Sequence, residues 1–199
     1  MLFCLVILQG FFCSLTGEKR RMDMKMNTKK IVTLAMLSAI SVILVMLIRI
    51  PFPGAPFLEY DPADVSIIIA TLIYGPLSGF IVTVVVSIIQ GVTVSAQSGI
   101  IGIIMHIFST GIYVIVTGNI NLKKNKSNII FAVAIGALSM TASMVIWNLI
   151  FTPLFMGQPF EVVKGMLIPV ILPFNLIKSV LNGAFAVIVY YMIKKTKII

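Results

Sequence analysis

The chain is short of almost everything that reactive chemistry needs. Among 199 residues there is one histidine, His106, and two cysteines, Cys4 and Cys13, both in the first apolar stretch. That supply gives no metal-ligand spacing and no disulfide framework, and no HExxH segment surrounds His106. A lone histidine in an apolar helix is most often a packed, hydrogen-bonded residue. Serines are plentiful, but none stands in a GxSxG elbow or a Ser/Lys dyad. There is no Walker A glycine–lysine loop, so the chain has no route of that kind to ATP hydrolysis. Only six residues are acidic, and Glu59, Asp61, Asp64 and Glu161 read as lying in or beside loops rather than mid-span. An ion-coupled carrier is expected to hold carboxylates inside its spans and to show internal repeats, and neither pattern is found.

Apolar residues fill the space that charge leaves. The chain is 59% hydrophobic and 11% charged, with a mean hydropathy of +1.12. A soluble domain cannot hide that much apolar surface, so the composition predicts an all-α integral membrane protein. The net charge of +9 would suggest a nucleic-acid partner in a soluble chain. Its placement argues against one. Twelve of the fifteen Lys and Arg lie in three clusters, at 19–30, 123–126 and 194–197, each flanking an apolar run.

Residues 1–26 read as an N-terminal extension, dispensable or not normally made. The apolar part, Leu2 to Leu15, is too short for a comfortable span, and its charges follow it rather than precede it. Residues 27–199 read as a membrane domain of six spans: 31–48, 64–74, 77–94, 100–117, 129–155 and 168–193. Six spans put both termini on one side, and all three basic clusters fall there. That side is therefore the cytoplasm. Outside lie a loop at 49–63, a short one around Gln97, and a polar loop at 156–167.

The first outer loop carries Pro51, Pro53, Pro56 and Pro62, which keep a helix out. Phe52, Phe57, Leu58 and Tyr60 make it apolar for a loop, with Glu59 among them, so it is either a lid over a site or a plug on the bundle. The last span holds Asn175, Lys178 and Asn182 on one face. Such groups are costly in hydrocarbon and should meet protein, water or a ligand. Asn175 and Lys178 fall in the outer half of that span, as Asn148 does in the fifth. Asn182, one turn deeper, reads as a helix–helix contact. Lys178 offers donors, and Asn148, Asn175, Gln90 and Gln97 offer paired donors and acceptors suited to amide or imide edges. Trp147, Phe57, Phe174 and Leu58 could sandwich a planar ring, although Trp147 suits an interfacial anchor equally well. The predicted ligand is a flat heteroaromatic solute. In the first span, Ala35 and Ala39 allow a second helix to approach closely, within this chain or from a partner.

Several of these stretches together resemble a known family. Ala35-xxx-Ala39, Glu59-Tyr60-Asp61-Pro62-Ala63-Asp64, Tyr74-Gly75-Pro76-Leu77-Ser78-Gly79 and Asn175-Leu176-Ile177-Lys178 are similar to segments of the substrate-binding S components of energy-coupling factor (ECF) vitamin transporters, and most of all to the riboflavin-specific ones of Gram-positive bacteria. The resemblance covers residues 27–197. It implies a six-helix S-component bundle in the cell membrane and a non-enzymatic subunit that captures riboflavin as transported ligand, with no cofactor. Asn175 and Lys178 would contact the flavin. Ala35 and Ala39 would dock onto a transmembrane coupling protein whose two ATPase partners supply the energy. Other partners would be membrane lipid alone. The rival ligands within the class are thiamine, folate and biotin. A membrane enzyme built on His106 lacks a second catalytic group, and a ligand-free structural subunit leaves the Lys178 face unexplained.

Overall fold

Asn27 opens the first helix, α1 (Thr28–Leu47), by accepting a hydrogen bond from the Lys29 amide. The structure is a computed structural model that describes residues 27–53, 55–94, 99–123, 128–157 and 159–196. The expected extension at 1–26 and Gln97 lie outside the described residues.

The proline-rich segment after α1 is not an irregular loop. Strands β1 (Ile50–Phe52) and β2 (Ala55–Tyr60) pair antiparallel, with Ile50 opposite Tyr60 and Pro51 opposite Glu59. The register slips between Pro51 and Phe52. Proline has no amide to donate, which suits a two-stranded edge and excludes a helix. The chain then turns into α2 (Ala63–Tyr74), where the Asp61 carboxylate accepts from the Ala63 amide at 3.1 Å. Gly75, at φ +89°, makes a turn that other residues rarely adopt and feeds α3 (Pro76–Val92), with proline in its first turn.

Helix α4 (Gly99–Lys123) runs past the expected end at 117 and takes up half of the predicted basic loop. Helix α5 (Ile129–Met156) contains Pro153 and stops at Gly157 in the left-handed region. The predicted polar loop at 156–167 is largely helical instead. Helix α6 (Phe160–Met166) buries Val163 and carries an exposed Glu161–Lys164 pair at 3.6 Å. It passes through a π-helical turn (Leu167–Ile171) into α7 (Leu172–Lys195). Pro169 and Pro173 cannot donate to the ordinary ladder, and the Leu172 amide reaches five residues back to Leu167 O. Polar spacing hid this helix, because its inward apolar residues are few: Val163 is buried and Met166 partly so.

Among the described residues, four helical stretches are long and apolar enough to cross a membrane: Thr28–Leu47, Gly99–Leu122, Ile129–Leu154 and the 36-residue run Phe160–Lys195. Two further apolar helices, α2 and α3, are shorter. At about 1.5 Å per residue, the 12 residues of α2 rise only ~18 Å, short of the ~30 Å hydrocarbon core.

α2 is the hub. It packs on α1, α3, α4 and α7, and Val65 through Leu72 are all buried. Tyr113, Met140 and Ala186 close over one side of it, Val82, Val86 and Val114 over the other. At Gly79 on α3 an added Cβ would stand 1.9 Å from Thr71 Oγ1, so glycine is what lets α3 come this close. The outer surface is inverted relative to a soluble protein: Met36, Leu47, Ile100, Ile130, Leu154 and Ile168 are all exposed. Lipid is the solvent that this surface fits.

Candidate functional site

Where the hairpin meets the ends of three helices there is a cavity of about 150 Å³. The hairpin and the turn after it contribute Phe57, Leu58, Glu59 and Asp61. Helix α4 adds Ile101, Gly102, Met105 and His106; α5 adds Met144, Asn148 and Thr152; and α7 adds Phe174, Asn175 and Lys178. The hairpin sits over this opening because its apolar side has somewhere to go. Ala55 and Leu58 are buried with Val163, Ile171 and Phe174, and Phe52 stands edge-on to Phe174 at 5.3 Å. The prolines set the strand, and these apolar contacts hold it down.

Polar groups lock the same piece from below. Lys178 Nζ donates to Asp61 Oδ2 at 2.7 Å and to the Glu59 carbonyl at 3.3 Å, with the Lys178 side chain only 8% exposed. Asn182 Nδ2 donates to Asp61 O at 3.0 Å, and Tyr60 donates its hydroxyl proton to Asn182 Oδ1 at 3.0 Å. Burial, and next the Asp61 carboxylate, push the Tyr60 phenol above its ordinary range, so it keeps that proton. Arg49 clamps the outer edge through Glu59 and the Val94 carbonyl. The hairpin is thereby tied to α7, and through Arg49 to the turn after α3, by charged or amide groups.

Six of the eight ligand-site residues expected from sequence, Phe57, Leu58, Glu59, Asn148, Asn175 and Lys178, line this one cavity. Trp147 does not. It lies against Phe108 and Phe151, at centroid distances of 4.9 and 5.5 Å, in a separate aromatic cluster. Helical geometry separates it from Asn148: adjacent residues point about 100° apart. Asn148 and Asn175 each donate to the carbonyl four residues back, Met144 O and Ile171 O, both at 2.8 Å. Thr152 donates to Asn148 Oδ1 at 2.9 Å, whereas Asn175 Oδ1 is buried without a hydrogen bond. Such an unmatched acceptor is what a donor on a ligand could satisfy. Ala35 and Ala39 are exposed on α1, while Ser38 and Val42 face inward, so the small residues open a shallow strip on the outer surface.

The sequence reading left two ionisable cavity-lining groups, Asp61 and His106, out of the site. Asp64 stands in the first turn of α2, beside a loop as expected, but it is fully buried within the bundle. It accepts from Thr110 at 3.0 Å and from Asn182 at 3.4 Å, and His106 Nε2 lies 3.4 Å away. So His106 does have a carboxylate neighbour, one 42 positions upstream that no local pattern reveals. Among the described residues no group of three or more His, Cys, Asp or Glu could hold a metal ion.

The chain is similar to proteins of known kind. Residues 29–193 match the family described as ECF transporter, substrate-specific component. The riboflavin transporter FmnP of Bacillus subtilis (strain 168) is 30% identical over 179 residues, which cover 85% of this chain and 94% of that protein. The riboflavin transporter RibU of Staphylococcus aureus (strain TCH60) is 27% identical over 182 residues, 86% and 93% of the two chains. A solved S component of a bacterial ECF transporter superposes with a TM-score of 0.75 at 25% identity, covering 86% of this chain and 99% of its own. The family is one of transporter components, not of enzymes. These matches and the apolar helices make this a multi-pass protein of the cell membrane. The chain belongs to the ECF transporter substrate-specific components.

Proposed function

We propose that this protein binds riboflavin from outside the cell and delivers it through an energy-coupling module. The observation that carries the reading is the composition of the cavity: Asn148, Asn175 and Lys178 on two helices, with Phe57 and Phe174 beside them, all beneath one hairpin. A flavin ring has one edge of imide and carbonyl groups and two flat faces. Carboxamides and an ammonium suit the edge, and aromatic side chains suit the faces. The names of the relatives, both riboflavin transporters, support the same ligand.

The cavity as it stands is smaller than the roughly 300–1,000 Å³ of typical small-molecule sites. A three-ring solute therefore enters by lifting the hairpin, which only side-chain contacts and a few polar ties hold. Six spans would put both termini and the basic clusters in the cytoplasm and the hairpin outside, a reading supported by the way the three basic clusters flank apolar runs. Residues 1–26 are dispensable for this activity. On the outer surface of α1, Ala35 and Ala39 form the strip onto which a transmembrane coupling protein docks, with two ATPase subunits supplying the energy.

The test is to identify the solute that co-purifies. Protein extracted in mild detergent from cells grown with riboflavin should be yellow, and mass spectrometry of the released solute should find riboflavin near one per chain. Colourless protein carrying thiamine, folate or biotin would move the assignment to that ligand.

A further inference from the structure

His106 stands in the cavity wall, held from the side away from the cavity. Its Nδ1 lies 2.7 Å from Ser87 Oγ on α3. Its Nε2 lies 3.4 Å from Asp64 Oδ1 on α2 without forming a hydrogen bond. Neither Ser87 nor Asp64 lines the cavity. Both are themselves fixed. Ser87 Oγ is 2.6 Å from the Thr83 carbonyl, and the Asp64 carboxylate is gripped by Thr110 and Asn182.

A fully buried carboxylate is costly in so apolar a bundle, and packing alone does not call for one. What it does here is specific. With one ring nitrogen against Ser87 and the other facing Asp64, the imidazole cannot turn about its χ2 axis without losing one of the two neighbours. The part of the ring left to the cavity is thus presented in a single orientation. Asn182 extends the same frame to the hairpin, since it touches Asp64, Asp61 O and Tyr60 together.

We infer that His106 is a ligand-contacting, specificity-determining residue of this site, and that Asp64 and Ser87 are positioning residues that hold its ring against the bound heterocycle. This inference rests on the riboflavin reading and adds an α4 wall to the polar groups of α5 and α7. The flat imidazole meets a flat heteroaromatic solute by ring contact, and a solute lacking an aromatic system gains nothing from it.

His106 is the only histidine in the chain, so a sample labelled with ¹⁵N-histidine reports on this ring alone. With the full chain in detergent, saturating riboflavin should shift the imidazole resonances. His106→Ala should weaken riboflavin binding about tenfold, the loss of one good contact. Asp64→Asn keeps the shape and should weaken binding by a smaller factor, while altering the imidazole signals before any ligand is added. The double variant should bind no more weakly than His106→Ala alone, because Asp64 acts through the ring. If Asp64→Asn does not fold, Ser87→Ala takes its place in the same cycle. Riboflavin binding that leaves the imidazole unmoved, or losses that simply add, would overturn the role of His106 while leaving the function intact. A wild-type protein that binds no riboflavin would overturn both.

Discussion

Helices α1 and α2 are adjacent, similarly apolar, and opposite in use. Five of the 20 residues of α1 are buried, against ten of the 12 in α2. Length decides the difference. α1 is long enough to face lipid along most of its circumference, whereas α2 is too short to span and is enclosed by its neighbours. The enclosed helix can therefore carry a carboxylate, Asp64, because α4 and α7 supply the groups that satisfy it. The exposed helix has its small residues, Ala35 and Ala39, where another membrane protein can reach them. On the proposed reading, ligand binding beneath the hairpin and partner contact on α1 are separate, and mutations should distinguish the two.

Lys178→Ala should have the largest effect. It leaves the half-buried Asp61 without its cation, and breaking a buried pair from one side costs at most about 3–5 kcal/mol. Thermal unfolding should show the loss, and riboflavin titration should show binding weakened at least tenfold. If binding were unchanged, the polar end of α7 would not be the ligand site. Gly79→Val comes next. It forces α3 away from Thr71 and should cost about 1–3 kcal/mol by overpacking the hub. A neutral result there would mean that α2 is less tightly enclosed than its burial implies.

The outline of the fold could be read from the chain because apolar runs, prolines and basic clusters act locally. Gly75-Pro76 marked the α2–α3 turn, and Asn175 and Lys178 announced a polar face. What could not be read depends on contacts distant in sequence. Asp64 read as the loop-side end of its span; only the packing of α4 and α7 around it shows that it is fully buried. Trp147 was placed in the site on chemical type, but the helix turns it toward Phe108. Strand pairing within 50–60 was masked by prolines, which are rare in sheets but tolerated at edges.

Smaller effects sharpen the contrast. Tyr60→Phe removes the bond to Asn182 and should cost about 1 kcal/mol, visible as a faster riboflavin off-rate in stopped-flow fluorescence. A slower off-rate would show that this tie does not hold the hairpin down. The exposed helix should respond least: Ala35→Leu with Ala39→Leu should shift stability by no more than about 0.5 kcal/mol. Riboflavin binding by the purified protein should stay at the wild-type level, and uptake by intact cells should fail. Parallel loss of binding and uptake would erase the division between the two helices.

The most direct test of the central claim is an equilibrium titration of the purified wild-type chain with riboflavin, followed by quenching of the flavin's own fluorescence. The account predicts saturable quenching that ends at one flavin per chain, competed by flavin analogues and not by thiamine or biotin. Unquenched flavin at every protein concentration would contradict it.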